Sequence, residues 1–75
     1  MGAAGSTVLW RLFRKGPTTT ERAHAVVLPG GPPHTLAFFA NGDMDRVENY
    51  DTIELALFRA DDIKRSLVAD DWKED

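Results

Sequence analysis

The sequence predicts an α+β fold, in which a four-stranded antiparallel β-meander is covered on one face by a single C-terminal α-helix. Two observations predict it. Short apolar runs in the first two-thirds of the chain are separated by strong turn signals. A longer segment after residue 50 then carries apolar residues at helical spacing. The chain has 75 residues, a length typical of one domain.

Four runs bounded by turn residues are predicted to be the strands. They cover residues 8–14, 22–28, 35–40 and 44–50, and the segments between them are rich in Gly, Pro, Thr and Asn. The fourth run is the most polar, which is typical of an edge strand. One alternative stays open at this point, because residues 7–15 can also be interpreted as a helix.

The register of the last hairpin decides which side chains face the helix. Asn41-Gly42 between apolar runs is a hairpin signal, because both residues tolerate positive φ. A loop of two or four residues places Leu36, Phe38 and Val47 on one face, whereas a three-residue loop with a bulge does not. We take the first arrangement and predict that these three residues belong to the core.

The helix is predicted to cover residues 52–70. Asp51 is the expected N-cap, and Glu54 follows three residues later as in a capping box. At about 100° per residue, one arc of the helix holds an apolar stripe that should cover the sheet. The stripe consists of Ile53, Ala56, Leu57, Ala60, Ile63, Leu67 and Val68. Trp72, which follows, is expected to fold back onto the edge of the sheet.

The domain is predicted to occupy residues 7–72, between a flexible leader at residues 1–6 and a polar tail at residues 73–75. The leader also matches the N-myristoylation pattern, with Gly2 as the acceptor and Ser6 in the required place. Arg11, Arg14 and Lys15 would then be the basic second signal that stable membrane anchoring needs. Whether Gly2 is modified stays open.

The composition excludes several classes of site. There is no cysteine, which excludes disulfides, thiolate metal sites and cysteine nucleophiles and favours a cytoplasmic location. No apolar run approaches the roughly 20 residues that a membrane-spanning helix needs. His24 and His34 have no metal-ligand spacing relative to each other or to a carboxylate. We therefore expect no catalytic residue, no metal and no cofactor, and a protein that is not an enzyme.

Apolar side chains outside the predicted core indicate a partner surface. Leu55 and Phe58 are neighbours on the side of the helix away from the stripe. The first and third strands carry apolar residues on both sides, and one helix covers one face only. The other face should then expose Phe39 with either Trp10 or Phe13. The leading hypothesis is a protein-interaction or regulatory module, with a homodimer through the uncovered sheet face as one form of it.

Nucleic-acid binding is the second hypothesis. Residues 1–42 carry a net charge of +3 and residues 43–75 carry −6. The basic candidates are Arg11, Arg14 and Lys15. If residues 7–15 formed a helix, the elements would follow the order helix, three strands, helix. This is the order of a double-stranded RNA-binding domain, and the resemblance is limited to that order. The acidic start of the last helix would repel phosphate, so this hypothesis ranks below protein interaction.

Overall fold

The computed structural model describes residues 5–75 and confirms the α+β prediction. The elements, in chain order, are β1 (Thr7–Lys15), β2 (Thr20–Val27), β3 (His34–Ala40), β4 (Asp43–Tyr50), α1 (Ile53–Ala69) and β5 (Lys73–Glu74). The strands form one antiparallel sheet in the order β4-β3-β2-β1-β5, and α1 lies across one of its faces. Most of the leader, including Gly2, lies outside the described residues.

The segment at residues 7–15 is a strand rather than a helix. It pairs with β2 along its whole length, from Thr7 opposite Val27 to Lys15 opposite Thr20. Its β-branched and aromatic residues suit a pleated surface that has side chains on both faces. The order of a double-stranded RNA-binding domain, which required a helix here, is therefore not the order of this chain.

The β3–β4 hairpin turns through a two-residue loop. Asn41 and Gly42 both have positive φ, of 53° and 89°, which is the pattern of a type I′ turn. Asn41 also joins the turn to β2: its amide donates to the Arg22 carbonyl at 2.8 Å, and its side-chain oxygen accepts from the Arg22 amide at 2.9 Å. The Asn-Gly signal thus predicted the place of the loop, and the structure selects the two-residue loop from the two lengths that the sequence left open.

Two β-bulges change which face each side chain occupies. In β1, Val8 pairs with Val26 and Trp10 pairs with Ala25, so Leu9 is an extra residue. Leu9 packs against the same core as Trp10, beneath the helix. In β4, Asp45 is the extra residue between Met44 and Arg46. A bulge places two residues of one strand opposite a single residue of its partner and shifts the alternation beyond it.

The prediction that Val47 belongs to the core is wrong, and the bulge in β4 is the reason. Leu36 and Phe38 are buried beneath the helix as predicted. Val47 pairs with Ala37, which lies between them in sequence and therefore on the opposite face. The side chain of Val47 is on the uncovered face and is 44% exposed.

The helix begins at Ile53, and its N-cap is Thr52 rather than the predicted Asp51. The Thr52 hydroxyl oxygen accepts a hydrogen bond from the Leu55 amide at 3.3 Å. Glu54 is consequently one position too early for a capping box, although its charge still suits the positive end of the helix dipole.

The C-terminal end of α1 is a Schellman motif built without glycine. The Asp71 amide donates to the Val68 carbonyl at 3.2 Å, and the Trp72 amide donates to the Leu67 carbonyl at 3.1 Å. Asp71 takes the left-handed conformation that this motif requires, with φ of 70°. The turn reverses the chain and directs the residues after it towards β1.

The core lies between α1 and one face of the sheet. Its buried members are Trp10, Leu12, Ala25, Val27, Leu36, Phe38, Ala56 and Ala60. The alanines at the centre of the helix stripe let the helix approach the sheet closely. The stripe is narrower than predicted, because Leu57 and Val68 at its flank are exposed. Trp72 packs against the core at the sheet edge, as predicted.

The predicted polar tail adds a short strand to the sheet. In β5, Lys73 pairs with Phe13 and Glu74 pairs with Leu12, and the Asp75 amide donates to the Arg11 carbonyl at 3.0 Å. These contacts satisfy part of the free edge of β1. The residues after Trp72 therefore belong to the folded unit.

Candidate functional site: the open face of the sheet

The sheet has one covered face and one face against which no described helix or strand packs. Cross-strand partners point to the same face, so the register assigns every side chain. Trp10, Leu12, Leu36 and Phe38 lie on the covered face. We call the other surface the open face, and it is the candidate functional site.

A line of small aliphatic side chains crosses the open face, one from each of the four long strands. Val8 pairs with Val26, Val26 with Ala37, and Ala37 with Val47. We call these four residues the apolar row. The two central members, Val26 and Ala37, are buried, whereas the outer two are exposed. Met44, also exposed, lies beside the row on β4.

Basic and aromatic side chains occupy the rest of the open face, towards the end where β1 meets β5. Arg11, His24 and Phe39 are successive partners in one line across three strands. The next line joins Arg22, Phe13 and Lys73. We call this region the basic end, and with Lys15 it has seven members: Arg11, Phe13, Lys15, Arg22, His24, Phe39 and Lys73.

The rings of His24 and Phe39 form a flat pair within the basic end. Their centroids are 4.5 Å apart and their planes differ by 2°, so the rings are stacked. Both side chains are half-buried. Phe13, also half-buried, lies two residues from Arg11 along β1, a distance of about 6.5 Å. The basic end thus has three half-buried rings among its charges, and two of these rings are stacked on each other.

The nine basic side chains of the chain differ in their ion pairing according to the face on which they lie. On the helix side, every one is paired; the set is Arg14, Arg46, Arg59, Lys64 and Arg65. At the basic end, Arg22 pairs with Asp75 at 3.0 Å. Within residues 5–75, Arg11, Lys15 and Lys73 form no ion pair. The cations left without an internal partner are thus all on the open face.

A groove of about 510 Å³ lies at the edge of the basic end, next to the C-terminal end of β1. Phe13, Lys15 and Lys73 line it, together with Arg14 and Asp71. Asp71 belongs to the turn after α1 and is the acid in this lining. The groove is open to solvent and has room for a ligand that contacts an aromatic ring and two ammonium groups together.

The covered face uses its charges to hold the helix in place. The Tyr50 hydroxyl donates to Glu48 Oε1 at 2.6 Å, and Arg59 Nε donates to the same oxygen at 3.2 Å. The Tyr50 hydrogen bond and the two arginines, Arg59 and Arg46, hold the pKa of the Glu48 carboxyl below its usual range. This cluster joins α1 to β4.

The sequence-predicted interface residues are dispersed by the fold. Phe13 and Phe39 lie on the open face, which resolves the choice between Trp10 and Phe13. Trp10 is in the core, where its indole N–H donates to the Ala60 carbonyl at 2.9 Å. It shares this face with Leu12, two residues further along β1, because side chains alternate along a strand.

Leu55 and Phe58 lie on the outer surface of α1, and Phe58 is 67% exposed. They are exposed as predicted, but on the opposite side of the molecule from the open face.

The sequence-predicted nucleic-acid residues are also divided. Arg11 and Lys15 belong to the basic end. Arg14 is on the covered side, where its guanidinium pairs with Glu21 at 3.1 Å and Asp70 at 2.9 Å and lies 5.0 Å from the Trp72 ring centroid. These contacts fix Arg14 in a structural role at the end of the helix.

Sequence reasoning missed several members of the open face. Arg22 and His24 were placed on a strand but not on a face, although they alternate along β2 and therefore share one. Lys73 was assigned to a tail, and no sequence signal indicated its pairing with Phe13. The apolar row depends on both bulges, for which the sequence has no local marker.

Residues 5–75 contain no group of three histidine or carboxylate side chains close enough to hold a metal ion. No helix in this part of the chain is long and apolar enough to cross a membrane. Comparison with known proteins gives no match, whether with family models, curated proteins or solved structures.

Proposed function

We propose that the chain is a non-enzymatic protein-interaction module that forms a homodimer through the apolar rows of two open faces. The observation that carries the proposal is the row itself. Val8, Val26, Ala37 and Val47 form a continuous aliphatic line on a sheet face that no described element covers. The outer members of the row, Val8 and Val47, are exposed, as is Met44 beside Val47, and exposed apolar side chains gathered on one uncovered face favour an interaction site.

The size of the open face is adequate for a stable interface. The molecule is a two-layer slab with extents of 41 × 29 × 17 Å, and the open face is one of its two broad sides. The 41 × 29 Å outline of that side leaves room for the roughly 800 Å² of accessible surface that each partner contributes to a standard interface. Valine and alanine side chains are short, so a second sheet can approach to the usual spacing of about 10 Å.

The distribution of charge favours a second copy in one orientation. A twofold axis parallel to the apolar row superimposes one row on the other and keeps the two basic ends on opposite sides of it. Arg11, Lys15, Arg22 and Lys73 of one copy are then far from the same residues of its partner. The interface is self-complementary, as twofold interfaces must be.

The non-enzymatic part of the proposal rests on the character of the described side chains. None of the polar or charged side chains among residues 5–75 is buried. General acid–base catalysis commonly depends on a group whose pKa is shifted by burial. The cytoplasmic location is likewise part of the proposal and rests on the absence of cysteine.

Light scattering on a size-exclusion column, over a concentration series, tests the dimer. The expected mass is twice 8.3 kDa at high concentration. Val47→Asp should give a monomer, because it places a carboxylate in the apolar row. The matched control is Val68→Asp on the helix, where the valine is 46% exposed against 44% for Val47. This control should remain dimeric.

Val47→Thr is a second variant for the case in which Val47→Asp does not fold. It keeps the β-branched shape and introduces no charge, and it should weaken the dimer. Circular dichroism establishes that each variant is folded. A wild-type protein that stays at 8.3 kDa over the whole series would contradict the proposal. An equal loss of mass in Val47→Asp and Val68→Asp would also contradict it.

A further inference from the structure

We propose that the basic end of the open face is a binding site for single-stranded nucleic acid. The site is separate from the apolar row and does not depend on the dimer. It is defined by three cations that have no ion pair within residues 5–75, Arg11, Lys15 and Lys73, next to the rings of Phe13 and Phe39.

The charge of the site is unlike the charge of the chain. The whole chain carries a net charge of −3, yet the basic end holds four cations. One of them, Arg22, is paired with Asp75. The helix side offers no comparable surface, because its five cations are all held by carboxylates. The binding free energy of a polyanion is most favourable where the cations are already unpaired, since no internal ion pair has to break. Phosphate groups are therefore attracted to the basic end specifically.

The aromatic surfaces distinguish a nucleic acid from other polyanions. Proteins that bind single strands combine a basic surface with exposed rings on which bases stack, and each stacked base contributes substantially to affinity. Phe13 is half-buried and lines the groove with Lys15 and Lys73, and the half-buried rings of His24 and Phe39 are stacked on each other on the same face. An acidic peptide would use the cations and leave the Phe13 ring without a stacking partner.

The shape of the site favours a single strand over a duplex. The cations lie along β1, β2 and β5 on a sheet face, and no described helix or hairpin projects from that face to enter a groove of double-stranded DNA. The open groove beside Phe13 has room, at about 510 Å³, for an unstacked base. A splayed single strand can place bases there while its phosphates contact Lys15 and Lys73.

Fluorescence anisotropy with a labelled oligothymidylate of about 15 nucleotides tests the proposal. Wild-type protein should bind, and log Kd should depend linearly on log salt between about 50 and 200 mM. Replacing Arg11, Lys15 and Lys73 with Gln should reduce the slope of log Kd against log salt by about 2, since each phosphate contact on a single strand contributes about 0.7. Neutralising Arg46, Lys64 and Arg65 to Gln, the matched control, should leave the slope unchanged.

Phe13→Leu tests the contribution of stacking, because it keeps an apolar side chain and removes the ring. It should weaken binding by at least about fivefold, whereas the matched control Phe58→Leu on the helix should have no effect. The same titrations with polyglutamate of equal charge separate the two kinds of polyanion. Polyglutamate should bind more weakly than the oligothymidylate and should not respond to Phe13→Leu.

Three results would overturn the proposal: no binding at low salt, equal slopes for the two triple variants, or equal affinity for polyglutamate and oligothymidylate. The last would assign the basic end to an acidic polypeptide. Repeating the titration with Val47→Asp separates this site from the proposed dimer. Unchanged binding by a monomeric variant supports an independent site, and a complete loss in that folded variant would contradict it.

Discussion

The two faces of the same sheet differ in how their side chains are satisfied. On the covered face, aromatic and aliphatic residues are buried beneath α1, and each basic side chain has a carboxylate partner. On the open face, the two ends of the aliphatic row are exposed, and three cations form no ion pair within residues 5–75. The covered face accounts for stability, and the open face holds the groups whose interactions the described fold does not use.

The largest difference between the faces should appear in the free energy of unfolding when side chains of one strand are truncated. Leu12 and Val8 both lie on β1, but Leu12 is fully buried on the covered face and Val8 is exposed on the open face. Leu12→Ala should lower the free energy of unfolding by about 2–5 kcal/mol, because it leaves a cavity. Val8→Ala should lower it by less than about 1 kcal/mol.

Urea denaturation followed by circular dichroism measures both values. The titrations are run at a protein concentration where light scattering gives a monomer, so that dimerisation does not enter the comparison. Equal destabilisation by the two variants would mean that the open face is packed as tightly as the covered one.

A smaller effect should follow from the Glu48 cluster, which belongs to the covered face. The pKa of Glu48 is lower in the folded protein than in the unfolded chain, mainly because of the Tyr50 hydrogen bond. A lowered folded-state pKa contributes stability above the ordinary value of 4.5, and this contribution is lost as the pH falls through the folded-state pKa. The wild-type protein should therefore lose more stability than Glu48→Gln between pH 7 and pH 3.

Denaturation of both proteins at a series of pH values gives the difference curve, which cancels the other carboxylates. At pH 7 the variant should be less stable by about 1 kcal/mol, the net value of one hydrogen bond. A flat difference curve would mean that the Glu48 contacts do not hold the helix in solution.

The smallest effect concerns the turn where the two faces meet. Asp71 has a φ of 70°, which glycine adopts without the steric cost of a side chain. Asp71→Gly should raise the free energy of unfolding by about 0.5–1 kcal/mol. It also removes an acid from the groove beside Lys15 and Lys73, so oligothymidylate binding should strengthen.

Asp71→Asn is the matched variant, because it removes the same charge and keeps a side chain at positive φ. It should strengthen oligothymidylate binding as Asp71→Gly does, with a smaller gain in stability. Tighter binding in Asp71→Gly alone would attribute the effect to the turn and not to the charge.

Elements that depend on local chemistry were predictable from the sequence. The prolines and glycines at residues 29–33, the Asn41-Gly42 pair and the helical spacing after residue 52 are each read within a short window. They defined four strands, one helix and the α+β class. The N-cap was assigned one residue early, because Asp51 and Thr52 are both suitable capping residues.

The candidate site was less predictable, because its composition depends on contacts between distant segments. A one-residue bulge at Asp45 places Val47 on the open face, and a second bulge at Leu9 places Val8 on the same face. The Schellman turn at Asp71 brought Lys73 beside Phe13. Neither bulge nor this pairing has a marker in the adjacent sequence, so the sequence predicted the two hypotheses but not the surface they share.

The five valines of the chain provide the most direct test of the open face as the interaction surface. Val8, Val26 and Val47 belong to the apolar row, Val27 to the covered core, and Val68 to the exposed flank of the helix stripe. Selective methyl labelling reports on all five in one spectrum. As the protein concentration rises, the methyl signals of the three row valines should shift while those of Val27 and Val68 stay fixed. Shifts confined to Val68, or no shifts at all, would contradict the account.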